Sequence, residues 1–367
     1  MKKKNLSIKE TLILAFQNCQ KNNFKKAEEL CNKILNIDPN HFDTIFLLGS
    51  LSVQAKNFDT AEKFLNKAIQ IQPNNINAHF NLGILFKELR NFEKSISCYQ
   101  KAIEIQSNHA RSHNDLGLVY KELREFQKSK NCFQKAIEID SNFTGAYINL
   151  GNILKELGDY KKAVINYQKA IQIQPNNLKS YLNLAILFKD QGKVEKAIEY
   201  YEKIVHYETG NLRIHYELNN LKNENINLNL KNNIEKIIKE KKSTKANLAY
   251  GHFLLSKYEY NIKNYEKEFN HLLRGHELFF SSLNSKDKKS VSYWLDELPK
   301  IKELVKNDKK LKKTNYKIKP IFLIGVPRCG STLVEKIITS CPKSIPMGEE
   351  TGVFSMLMWD QIRKKKK

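Results

Sequence analysis

The sequence predicts a mostly α-helical chain: a helical superhelix over residues 8–282, followed by the N-terminal fragment of an α/β P-loop-like domain. Two patterns carry that prediction. Small and large residues recur with a period of 34 from residue 8 to residue 211 without an insertion. Near the end, an apolar run at 320–324 leads through a glycine loop into an amphipathic stretch. A composition that is 41% hydrophobic and 28% charged is that of a folded globular chain, and no run approaches the roughly 18 apolar residues of a membrane-spanning helix.

The six blocks are 8–41, 42–75, 76–109, 110–143, 144–177 and 178–211. Position eight holds Ala15, Gly49, Gly83, Gly117, Gly151 and Ala185, and position twenty holds Ala27, Ala61, Ser95, Ser129, Ala163 and Ala197. Small residues at two fixed places let two helices of one block approach closely. Position seventeen is large (Phe24, Phe58, Phe92, Phe126, Tyr160, Val194), and so is position twenty-four, except at Cys31 (Leu65, Tyr99, Phe133, Tyr167, Tyr201). Pro39, Pro73, Ser107, Ser141, Pro175 and Thr209 stand where the second helix must stop. The pattern resembles the tetratricopeptide repeat family, whose 34-residue helix-turn-helix units stack into a superhelix with a concave groove. Residues 212–282 read as a helical region ending in a degenerate seventh copy at 249–282, with Ser256, Tyr265, Leu272 and Gly275 in pattern and Glu268 where a small residue is usual. Residues 283–318 read as a Lys-rich linker.

The groove is the expected binding surface for a protein or peptide. Position six of repeats three to six reads Asn81, Asp115, Asn149 and Asn183. An Asn amide is donor and acceptor at once, so a ladder of them suits an extended peptide backbone whatever its side chains. A similar ladder occurs in the tetratricopeptide arm of O-GlcNAc transferase. Lys87, Lys121, Lys155 and Lys189 repeat at position twelve and would favour acidic peptides. Ordinary repeat consensus and solvated surface are the alternative readings of the two rows.

In "KPIFLIGVPRCGSTLVEKIITSCP" the run 320–324 reads as a buried parallel strand, 325–330 as a loop, and the residues from Ser331 as a helix, which together form a phosphate cradle at a helix N-terminus. Ser331 stands where the nucleotide-binding pattern GxxxxGK[ST] has Lys; the cation comes earlier, at Arg328. "GVPRCGSTLVEKI" followed by "GEET" resembles the tyrosylprotein branch of the sulfotransferases, and its bacterial tetratricopeptide-fused relatives. These use 3'-phosphoadenosine 5'-phosphosulfate (PAPS) as sulfuryl donor and no metal. The resemblance implies that Arg328, Cys329, Gly330, Ser331 and Thr332 bind the phosphosulfate, and that Arg328 and Glu349 are catalytic, Glu349 as general base for a phenol of pKa about 10. The family has Ser or Thr where Cys329 stands, which leaves that position its backbone amide but no hydroxyl.

After Asp360 the chain ends in Arg363 and four lysines, without the later strands of such a domain. The expectation is therefore a sulfotransferase truncated at 319–367, with little activity of its own. The alternative is a non-catalytic interaction scaffold with a sulfotransferase remnant. The net charge of +23 is mostly Lys, since seven of 62 basic residues are Arg. A solvated Lys-rich surface is preferred to a specific nucleic-acid footprint, which would favour clustered Arg with aromatics. The six Cys show no CxxC pair, and the apolar run after Lys2–Lys4 is broken by Ser7, Lys9 and Glu10, so the reading is a cytoplasmic chain with free thiols. His109 and His113, four apart across a repeat boundary, read as packing or exposed residues.

Overall fold

A computed structural model describes residues 7–240 and 243–283. They form sixteen α-helices, with no strand among them. Two compact units divide between Thr209 and Gly210.

In the first unit every repeat is a helix pair. The first helices are α1 (Ile8–Gln20), α3 (Phe42–Gln54), α5 (Ile76–Glu88), α7 (Ala110–Glu122), α9 (Thr144–Glu156) and α11 (Leu178–Asp190). The second helices are α2 (Phe24–Ile37), α4 (Phe58–Ile71), α6 (Phe92–Ile105), α8 (Phe126–Ile139), α10 (Tyr160–Ile173) and α12 (Val194–Tyr207). The first helix thus fills positions one to thirteen of each block and the second fills seventeen to thirty, ending two residues before Pro39, Pro73 and their counterparts. First helices touch their counterparts in the next repeat from α3 through α11, so they form one continuous face.

The turn between paired helices has one recurring device. Position fifteen has positive φ in all six repeats: Asn22, Lys56, Arg90, Arg124, Gly158 and Gly192, with φ between 57° and 79°. A left-handed residue there reverses the chain and lets the next backbone N–H bond back to the first helix, as Asn91 N does to Phe86 O at 2.8 Å. Pairing is then set by the small and large positions. A methyl on Gly83 would lie 2.5 Å from Cε1 of Tyr99, whose ring is fully buried against that backbone. Leu65, Phe133 and Tyr167 sit in the same way on Gly49, Gly117 and Gly151. Full burial of each such side chain contributes roughly 1.5–3 kcal/mol. Ser95 and Ser129, at position twenty, donate to the carbonyls of Gly83 and Gly117 at 2.8 and 2.7 Å, so these buried hydroxyls are satisfied.

The second unit contains α13 (Leu212–Lys222), α14 (Leu228–Lys239), α15 (Lys245–Asn261) and α16 (Tyr265–Ser282). Its core gathers Leu212, Ile226, Ile234, Tyr250, Leu254 and Leu255, with Tyr216, Phe253 and Phe279 packed around it. The side chain of Asn247 accepts from Leu212 N at 2.9 Å and donates to Gly210 O at 2.9 Å, tying α15 to the start of α13. α15 and α16 pack along their length, with Gly275 buried against Phe253 and Ser256 buried beside them. His252 and His271 share a hydrogen bond between their Nδ1 atoms at 3.0 Å, which requires one ring to carry its proton on Nδ1 and the other to be bare there. Glu259 is buried, with Oε2 unpartnered.

Candidate functional site

The position-six residues lie on four consecutive first helices: Asn81 on α5, Asp115 on α7, Asn149 on α9 and Asn183 on α11, each half-buried. Their spacing follows from the 34-residue register alone. Their orientation follows from contacts with the preceding repeat. Asn81 Nδ2 donates to Ser50 Oγ at 2.8 Å, and Asn183 Nδ2 to Asn152 Oδ1 at 3.1 Å. Ser50 and Asn152 both occupy position nine. Asn149 instead donates to Asn114 Oδ1 at 3.0 Å, and Asn114 donates to Asp115 Oδ1 at 2.8 Å. In each of the three Asn residues, Nδ2 is held by the neighbouring repeat while Oδ1 has no partner among the described residues and can accept from a ligand. The row is therefore prepositioned by the stacking of repeats.

Asp115 breaks the amide series. Burial pushes its carboxyl above the ordinary value, and the charges of Lys87 and Arg111, with the Asn114 hydrogen bond, only partly offset this. The fully buried Tyr99 hydroxyl has no partner. Burial drives that phenol well above the normal range and the Asp115 charge pushes the same way, while the Ser95 hydroxyl, itself bonded to the Gly83 carbonyl, offsets only a small part. Two repeats on, Tyr167 occupies the position of Tyr99, and its hydroxyl donates to Asn152 at 2.8 Å; the residue equivalent to Asn152 beside Tyr99 is Ile84.

The Lys row at position twelve is half-buried, and an exposed acid row, Glu88, Glu122, Glu156 and Asp190, runs beside it at position thirteen. Lys155 and Asp190 approach to 3.8 Å across repeats. The acid row was readable as a periodic polar position; position nine was not, since it reads Phe16, Ser50, Ile84, Leu118, Asn152 and Ile186, and only the stacking geometry gives Ser50 and Asn152 their roles.

The described residues offer little covalent chemistry. Burial raises Cys31 to about 12, and Cys98 and Cys132 to about 11, far from a reactive thiolate. No group of three or more His, Cys, Asp or Glu among them could hold a metal. His109 occupies the N-cap position of α7 without a capping side-chain bond and pairs through Nδ1 with Ser112 Oγ at 2.7 Å, while His113 pairs through Nε2 with the Ser107 carbonyl at 3.0 Å. Arg328, Cys329, Gly330, Ser331, Thr332 and Glu349 lie outside the described residues, as does the whole of 319–367.

Tetratricopeptide repeat family profiles match residues 19–79, 74–142, 132–165 and 178–207, and a profile described as TPR repeat matches 151–192. The chain belongs to the tetratricopeptide repeat family. Among solved structures, Pseudomonas aeruginosa pilF is similar, with TM-score 0.50 and 20% identity over 57% of this chain and 95% of that one. PilW, described as a widely conserved type IV pilus biogenesis factor, gives TM-score 0.51 and 16% identity over 55% of this chain and 94% of that one. At these identities the likeness is one of fold. No curated protein matches the chain. No described helix of this tetratricopeptide protein is long and apolar enough to cross a membrane.

Proposed function

We propose that the tetratricopeptide array is a protein-interaction scaffold that holds an extended polypeptide along its first-helix face. The observation that carries this reading is the row Asn81, Asn149 and Asn183, in which each Nδ2 is fixed by the preceding repeat and each Oδ1 is left to accept a peptide N–H. Stacked helical repeats present extended surfaces of this kind. The acid row at position thirteen offsets the Lys row, so the amides, more than net charge, supply the binding. Peptides selected on the full chain from a random library would be measured by fluorescence anisotropy. Combining Asn81→Ala, Asn149→Ala and Asn183→Ala removes three net hydrogen bonds of about 1 kcal/mol each and is expected to weaken binding at least tenfold with helicity unchanged. Selection of no peptide, or equal affinity for the variant, would refute the scaffold reading.

A second reading rests on sequence alone. "GVPRCGST" and "GEET" favour a sulfotransferase-type site in which Arg328, with Cys329, Gly330, Ser331 and Thr332, would hold a phosphosulfate and Glu349 would take the acceptor proton. Bound PAPS would supply the sulfuryl group, and a tyrosine-like hydroxyl on the scaffolded polypeptide would receive it. Retention of the chain on immobilised adenosine 3',5'-bisphosphate should disappear on Arg328→Ala. Retention that is absent, or indifferent to that change, would eliminate this second reading.

A further inference from the structure

We propose that the cleft between the second helices of repeats five and six binds an aromatic anion, a ring bearing phosphate or sulfate such as a modified tyrosine. The cleft has a volume of about 430 Å³. Phe188 and Tyr200 form its floor, with ring planes 19° apart and centroids separated by 5.6 Å. Tyr160 and Lys161 flank it from α10, and Lys193 and Lys196 from the start of α12. The ammonium groups of Lys193 and Lys196 lie 6.0 and 5.5 Å from the centroid of the same Phe188 ring.

Comparison of the repeats shows how unusual that is. Position nineteen is Lys in five of the six repeats, and in the three preceding ones it has an acid. Lys94 faces Glu62 at 3.9 Å, Lys128 faces Glu125 at 2.5 Å and Lys162 faces Asp159 at 3.0 Å. Those acids come either from position sixteen of the same repeat or from position twenty-one of the one before. For Lys196 the corresponding residues are Lys193 and Val164, a charge reversal and an apolar side chain. The one acid lining the cleft, Glu199, is engaged by Lys203 at 2.6 Å. Lys193 has only the neutral Gln191 Oε1, at 2.8 Å. Two cations therefore converge on one ring where other repeats place an ion pair, and the ring's quadrupole offsets only part of their repulsion. An anion between them and Lys161 would relieve it. The aromatic walls, including Tyr160 at 46% exposure, offer the ring of that anion a stacking surface.

The test uses the full chain and one short peptide with a central tyrosine, phosphotyrosine, sulfotyrosine or phosphoserine, read by fluorescence anisotropy. The phosphotyrosine peptide, the sulfotyrosine peptide or both should bind at least about tenfold more tightly than the other two, because ring and charge are both used. Lys193→Asp gives repeat six the position-sixteen residue of repeat five and should restore an ion pair to Lys196, with at least about tenfold loss of binding and unchanged circular dichroism. If that variant alters the circular dichroism, Lys161→Gln, the residue of repeat four at that position, should weaken binding in the same direction. Equal binding of phosphoserine and phosphotyrosine would reduce the site to surface lysines. Absence of binding, or indifference to both substitutions, would likewise overturn the proposal.

Discussion

Two pairs of residues show how the repeat core is specified atom by atom. Gly83 and Tyr99 are complementary because the ring occupies the space a methyl would need. In Gly83→Ala the overpacking cost of about 1–3 kcal/mol should exceed the roughly 1 kcal/mol that Ala gains over Gly in helix propensity, and urea denaturation should show net destabilisation. Tyr99 and Tyr167 hold the same repeat position with opposite hydroxyl accounts. Tyr99→Phe removes a buried group that has no partner and should stabilise the chain by about 1 kcal/mol. Tyr167→Phe forfeits the bond to Asn152 and should cost about 1 kcal/mol. Equal signs for the two substitutions would contradict this assignment of partners.

The helix pair is the unit on which the αL turn acts. Position fifteen is left-handed in every repeat, yet it is Gly only at Gly158 and Gly192. Lys56 and Arg124 bear the steric cost of a Cβ at φ 57° and 60°. Lys56→Gly and Arg124→Gly should each stabilise the chain by about 0.5–1 kcal/mol, since relief of that strain outweighs the added freedom of the unfolded chain. The same device recurs in the second unit, where Lys263 has φ 60° between α15 and α16. Denaturation midpoints that fall in both variants would show that the turn does not store this strain.

Two units with separate cores should respond separately to acid. In the second unit, burial, with the charges of His271 and Arg274, lowers His252 to about 4. Burial also lowers His271, although Glu259 and Glu235 oppose that and Lys267 and Lys231 reinforce it. The folded state thus prefers both rings neutral, while an unfolded His has pKa about 6.5. Between pH 6.5 and about 4 the unfolded state binds more protons, so stability falls as pH falls across that window. Hydrogen exchange corrected for intrinsic rates should show α15 and α16 losing protection there more steeply than α5 to α10. Replacing both residues, His252→Gln with His271→Gln, should reduce the response and leave the share of His276 on α16, which burial also lowers. Unchanged protection down to pH 4.5 in the parent chain would rule out the shared-proton pair as a stabilising contact.

The helix pairs and their register were legible from residue 8 to residue 211, because one packing solution is repeated and each copy restates which positions are small, large or terminal. The position-six row was legible for the same reason. Its partners were not: Asn81 meets Ser50, Asn149 meets Asn114 and Asn183 meets Asn152 only once neighbouring repeats are stacked, and no local pattern encodes a contact across 31 to 35 residues. The left-handed turn is signalled only at Asn22, Gly158 and Gly192, because Lys56, Arg90 and Arg124 carry no local sign of φ > 0 where the fold imposes it. Sequence by itself determined the unit, its period and the polar row that recurs at position six. Tertiary structure decided which of their atoms remain free, since hydrogen bonding and burial depend on what the next repeat brings alongside.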